Sequence, residues 1–412
     1  MSRFASLLLL IIYLSYVLAI KTCETFSDYY KIASDKCFDN PDAGAPPLEI
    51  LRRWGCHAAE YNVTTKDGYQ ISIIRAWPTH ITQPIPIVMG HGIYMNSLGF
   101  ISMFNKTIAY NLIQEGYDVY LINFRGTLFS TGHTNMTQSD YDYWMYSFHE
   151  MGICSTLTAL DLVARISGKP KSIYIGYSMG TTAMFVYSTL YPTEASERLA
   201  GVIALAPVAN VTEIRSIVSY FAPFWRFPIK PIAKLLFNGI LLPRNEAINR
   251  FCAYGPIPIF LCYASRVLIF GPDFKSLDPL YRPVTNINHP DVIAANVIEH
   301  YWQCYKTRRF IQYDHGAEEN LIQYGSVIPP DYPIEDIRTP MSFFVADNDW
   351  IAEEHNALAT YNMIPSQYRC GYIVSSNKEF SHDDVITSRY VFKDLIQGVL
   401  AKVQQMKSGL CS

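Results

Sequence analysis

The chain has 412 residues, half of them hydrophobic, which is enough for one large domain or two around a sizeable core. Its 33 Lys and Arg stand against 36 Asp and Glu, a formal net charge of −3, and no long basic run occurs. That balance excludes the electrostatic footprint of a nucleic-acid-binding protein.

The N-terminus reads Met1-Ser2-Arg3, then an apolar stretch through 7–12 to Val17-Leu18-Ala19. One positive charge, a short apolar run and small residues near Ala19 predict a secretory signal peptide over 1–19, cut after Ala19. The run is marginal for a bilayer span and no other segment is apolar and uninterrupted enough, so no transmembrane anchor is expected after cleavage. Runs 61–65 and 69–75, joined through Lys66-Asp67-Gly68, predict an opening β-hairpin. An apolar strand at 85–89 ends at Gly90-His91-Gly92, followed by a helix over 107–115 and a strand over 117–122. An apolar-periodic helix, 155–166, precedes Ile173-Tyr174-Ile175, a buried strand driving into Gly176-Tyr177-Ser178-Met179-Gly180. A helix is expected from Thr181, a strand at 201–206, further strands at 341–346 and 371–374, and a last helix over 384–403. Continuous apolar strands separated by helices imply a mostly parallel sheet with helices on both faces, an α/β class.

Between Ala206 and Met341 the rhythm breaks for several times the ~30 residues of one strand–helix unit. An inserted cap or lid is expected over 207–336, between a first core part (20–206) and a second (337–412). Its stretch Tyr220-Phe221-Ala222-Pro223-Phe224-Trp225-Arg226-Phe227-Pro228, with the apolar run to 242, reads as a packed helix or as a mobile, lipid-docking lid.

Secretion agrees with four glycosylation sequons, at Asn62, Asn105, Asn135 and Asn210. Nine cysteines are an odd number, so at least one is free or paired between chains. Cys252 and Cys262, close together in a Pro-rich stretch, are the expected disulfide, and Cys154 is expected as a buried apolar thiol.

A serine hydroxyl is a poor nucleophile until an imidazole takes its proton, and the imidazole needs a carboxylate to fix its tautomer. Glycines around Ser178 allow the sharp strand-to-helix turn that pushes a hydroxyl out above a sheet. After such an elbow the acid and then the histidine follow in the chain. The strand at 341–346 leads into Asp347-Asn348-Asp349, which offers two aspartates, and only His355 and His382 of the ten histidines come later. His355 is expected on the next helix; His382, in a loop after the strand at 371–374, is the expected base. The oxyanion hole is expected from the backbone amides of Met179 and Ile93. This chemistry requires no metal or organic cofactor, and no His or Cys pair has ligand-like spacing with partners.

Several motifs in order carry a resemblance. Asn62-Val63-Thr64-Thr65-Lys66-Asp67-Gly68-Tyr69, Asn123-Phe124-Arg125-Gly126, Tyr146-Ser147-Phe148-His149-Glu150-Met151, Ala204-Leu205-Ala206-Pro207 and Asn348-Asp349-Trp350-Ile351-Ala352 resemble the acid lipase family of α/β-hydrolases, the group of lysosomal acid, gastric and lingual lipases. The resemblance runs from about residue 60 to the last helix. It implies an α/β-hydrolase fold, a catalytic triad of Ser178, Asp349 (rather than Asp347) and His382, and a cap disulfide between Cys252 and Cys262. It also implies a secreted or lysosomal ester hydrolase acting on neutral lipid at a lipid–water interface. The chain departs from the family at Tyr177 and Met179, where the elbow usually reads Gly-His-Ser-Gln-Gly, at Ile93, and at His382-Asp383-Asp384-Val385 in place of His-Leu-Asp-Phe. Two alternatives remain open: an esterase or acyltransferase for small esters, and a non-catalytic lipid-binding or storage protein on the same scaffold.

Overall fold

The computed structural model describes residues 20–31 and 34–411, so the expected signal peptide over 1–19 lies outside the described residues. β1 (His57–Thr64) and β2 (Tyr69–Trp77) form the hairpin, antiparallel about Gly68, whose φ of 92° suits glycine. β3 (Ile87–Gly90), β4 (Val119–Ile122), β5 (Ser172–Tyr177), β6 (Leu199–Leu205), β7 (Met341–Val345) and β8 (Arg369–Val374) complete the path. They lie in the order β1-β2-β4-β3-β5-β6-β7-β8, and the two-residue strand Gly132–His133 pairs with β2. β2 meets β4 antiparallel; from β4 to β8 every neighbour is parallel. Every residue of β3, β4, β5 and β7 is buried, as expected of strands covered on both faces. Parallel strands bring their carboxyl ends to one edge, so the chain leaves β3, β5, β7 and β8 on the same side of the sheet.

Helices α1 (Ile108–Gln114), α2 (Leu157–Ser167) and α3 (Met179–Leu190) connect the first strands. The helix expected over 155–166 starts earlier. Ser147 and Glu150 form a reciprocal capping box, a turn begins at Phe148, and Met151–Thr156 runs as a wider π-helical coil into α2. Gly152 lies in that coil where a Cβ would sit 2.6 Å from the Ala183 carbonyl, so the coil meets α3 backbone to backbone.

The segment between β6 and β7 carries α4 (Pro256–Phe270), α5 (Ala295–Thr307), several shorter helices and a ribbon of Ile240–Leu242 against Ile293–Ala294. Among the described residues no single helix is long and apolar enough to cross a membrane. After β7 and β8, connected through α6 (Glu354–Met363), the expected last helix is broken. Asp384–Thr387 makes one turn, and a second helix runs from Phe392 through α7 (Gln397–Lys407). Ser388 bridges to Leu277 and the Arg389 amide donates to the Ser276 carbonyl at 2.9 Å, backbone bonds that a continuous helix would have precluded.

Disulfides join Cys23 to Cys37, Cys252 to Cys262, and Cys370 to Cys411; Cys56, Cys154 and Cys304 are free and buried. Asn62, Asn105 and Asn135 are exposed, whereas Asn210 is only half-exposed and its Oδ1 is buried without a partner.

Candidate active site

Ser178 stands between β5 and α3 with φ 52° and ψ −119°, a conformation that a non-glycine residue adopts only when its surroundings enforce it. Close packing supplies that enforcement. A Cβ on Gly180 would lie 2.2 Å from the Gly90 carbonyl oxygen, and one on Gly176 would lie 2.9 Å from the Gly180 backbone. The elbow therefore rests directly on the end of β3, its partner strand in the sheet.

His382 and Asp349 arrive from the loops after β8 and β7. His382 Nε2 is 2.8 Å from Ser178 Oγ, and its Nδ1 is 2.7 Å from Asp349 Oδ2. The other oxygen of Asp349 accepts from the amides of Ile351 and Ala352 at 2.8 and 2.7 Å, which fixes the carboxylate plane. Asp349 Oδ2 is an acceptor, so Nδ1 donates and Nε2 faces the hydroxyl. All three side chains are buried. Asp347, the other candidate acid, points away and pairs with Lys378, and His355 sits half-exposed at the start of α6, 3.9 Å from Glu213.

Ile93 and Met179 line the same cavity as Ser178 and His382. Among the described residues neither amide donates to a protein acceptor. His91 fixes the loop that carries Ile93: its Nδ1 donates to the Gly92 carbonyl at 2.8 Å, and its Nε2 accepts from the Phe124 amide at 3.1 Å. Burial pushes the His91 imidazole down to about 4, against the pull of the Gly92 carbonyl, so it stays neutral and serves as a structural strut. The cavity measures about 310 Å³, is walled almost wholly by apolar side chains, and takes Phe221, Trp225, Phe270 and Trp302 from the segment between β6 and β7.

Four further residues hold the site through contacts that no sequence pattern shows. Phe270, at the end of α4, stacks on the His382 ring with centroids 5.5 Å apart and planes 11° from parallel. Tyr177, where the acid lipase pattern has histidine, donates its hydroxyl to the His382 carbonyl at 3.0 Å. Arg215 grips the acid loop, donating to the Asp347 and Asp349 carbonyls at 2.8 and 3.1 Å while its Nε meets Glu353 at 2.9 Å. Asp383, beside the histidine, is held by Arg266 and Arg282. Phe270 and Arg215 belong to no local pattern, and Tyr177 and Asp383 stand out in the sequence only as departures from the acid lipase motifs, with no sign of these contacts.

The architecture is that of an α/β-hydrolase. A family model described as the alpha/beta hydrolase fold matches residues 85–226, and one described as a partial alpha/beta-hydrolase lipase region matches 48–104. The chain is 29% identical to Lipase lipl-3 of Caenorhabditis elegans, covering 76% of this chain and 81% of that protein. It is 27% identical to gastric triacylglycerol lipase of Bos taurus (77% and 82% covered) and 25% identical to lysosomal acid lipase/cholesteryl ester hydrolase of Homo sapiens (84% and 88%). A soluble variant of monoglyceride lipase from Saccharomyces cerevisiae shares the fold with TM-score 0.52 at 13% identity, over 85% of this chain and 94% of that one. Within the α/β-hydrolase fold the chain is thus similar to lipases of the gastric and lysosomal acid type over most of its length.

Proposed function

We propose that the protein is a serine ester hydrolase of the secretory pathway, a lipase that cleaves fatty-acyl esters of neutral lipids such as triacylglycerol or cholesteryl ester. The observation that carries this reading is the unbroken chain from Asp349 through His382 to Ser178, opening into an apolar cavity. Ser178 Oγ attacks the ester carbonyl as His382 Nε2 takes its proton; the amides of Ile93 and Met179 stabilise the tetrahedral oxyanion. The imidazolium, stabilised by Asp349, returns the proton to the leaving alcohol. Water then attacks the acyl-enzyme with His382 as base again, releasing the fatty acid.

The segment over 207–336 acts as a cap, and its apolar surface supports docking at a lipid–water interface. Phe221 lines the cavity yet is 54% exposed, and Tyr220, Phe224, Phe227, Leu235 and Leu236 are also exposed. Three disulfides and the gastric and lysosomal relatives support the secretory setting.

The test is hydrolysis of short- and long-chain esters by the wild type and Ser178→Ala. The variant is expected to fold and be secreted while kcat falls about 10⁴-fold or more. Normal turnover by the variant would refute the assignment. For the wild type, a jump in rate above the solubility limit of the substrate is expected of a lipase; its absence favours the small-ester alternative.

A further inference from the structure

The loop carrying His382 is gripped at three successive points. The His382 amide donates to the Phe270 carbonyl at 3.3 Å, and its own carbonyl accepts from the Tyr177 hydroxyl. The next side chain, Asp383, is buried among cations of the segment between β6 and β7. Its Oδ2 accepts from Arg266 Nε at 3.1 Å, Arg282 Nη1 at 3.4 Å and Thr387 Oγ1 at 3.2 Å, and its Oδ1 accepts from Arg266 Nη2. Arg266 and Phe270 lie one turn apart on α4, so one helix face holds the side chain after the histidine, the histidine amide and the histidine ring. Ile269 and Phe270 of that helix also wall the cavity beside Ser178.

Buried ion pairs add little net stability over apolar packing of the same shape, so this cluster calls for a geometric role. We propose that Asp383 is a positioning residue: through Arg266 and Arg282 it locks the His382 backbone against α4, so that the base and the wall of the acyl cavity are held as one piece. The proposal rests on the ester-hydrolase reading above, because a base needs such placement only if it moves a proton. Burial opposes ionisation of Asp383, but the two arginines outweigh it and hold the carboxyl down at about 2, so the clasp stays charged across the working range of the enzyme. Arg282 is itself fully buried, with Tyr263 as a ring neighbour 4.9 Å away, which makes Asp383 its main counter-charge.

Asp383→Asn and Arg266→Lys in the full chain test this. Three readouts are taken: the rate at which a fluorophosphonate labels Ser178, kcat and KM on a soluble short-chain ester normalised to titrated sites, and the downfield imidazole N–H proton resonance of His382. Asp383→Asn is expected to slow labelling and kcat about 10- to 100-fold with KM within about twofold, and to broaden the resonance. Arg266→Lys keeps the charge but loses the two-pronged geometry and is expected to fall between that variant and the wild type. Wild-type labelling and a sharp resonance in folded Asp383→Asn would overturn the proposal, as would losses that vanish on normalising to titrated sites. Should Asp383→Asn fail to fold, wild-type values in Arg266→Lys would overturn it equally. A wild type that neither labels nor hydrolyses esters would remove the enzymatic reading instead, and the resonance would still decide whether Asp383 orients the imidazole.

Discussion

The two sides of the site are held by different forces. On the serine side, Ser178, Gly176, Gly180, Gly90 and the His91 loop are placed by backbone contact and neutral hydrogen bonds within adjacent strands. On the histidine side, Asp349, His382 and Asp383 sit on loops, tied by Arg215, Arg266, Arg282 and the face of Phe270, all supplied by the segment between β6 and β7. Ser178 is thus fixed by sterics that leave no alternative, His382 by charge and stacking that reach in from far along the chain. Rigidity of the first kind fails abruptly when a methyl group is added; rigidity of the second kind weakens by degrees.

Three substitutions separate these modes. Asp349→Asn acts on the histidine side and has the largest expected effect. Its Oδ1 can still accept from Ile351 and Ala352, but an amide NH₂ would face His382 Nδ1 and favour the wrong tautomer. The expected loss is about 10⁴-fold in kcat at nearly unchanged melting temperature; a loss below tenfold would make the acid dispensable. Gly180→Ala acts on the serine side. The added Cβ meets backbone rather than a flexible side chain, so the elbow must shift, with about 1–3 kcal/mol lost in denaturant melts and about 10²-fold or more in activity. A fully active variant would show that the elbow is not sterically fixed.

The smallest expected effect is on stability and depends on pH. Burial pushes the Asp384 carboxyl up to about 7, with the charge of nearby Asp273 adding to the rise against hydrogen bonds from Ser276 and Ser381. The raised value means that the folded chain retains a proton that the unfolded chain releases near 3.8. This contribution is complete below about 3.8 and is lost as pH rises through about 7. Asp384→Asn, which keeps an acceptor for the Ser381 amide, should therefore gain melting temperature relative to the wild type as pH goes from 4 to 8. A difference that is flat in pH would mean that Asp384 is ionised throughout.

Legibility followed the same division. The elbow, its strand and the place of His382 in the loop after β8 could be read because glycine spacing and strand ends are local signals. The choice between Asp347 and Asp349 could not be made from position alone; in the structure only Asp349 reaches the imidazole, while Asp347 turns toward Lys378. Arg215, Arg266 and Phe270 carry no mark in the sequence, since each acts across a long chain separation and on residues that follow no periodicity. The last helix reads as continuous because its composition is helical throughout; the break at Ser388 comes from pairing with Leu277, a partner no local window contains.

The bond between Cys370 and Cys411, 41 residues apart, encloses the loop that bears His382. A single peptide cut between those two cysteines leaves the two fragments joined through the disulfide, so the imidazole stays covalently attached to the fragment that bears Ser178. Where proteases are abundant, one nick in this loop leaves the site covalently joined, and releasing His382 takes either a second cut on its other side or a reductant.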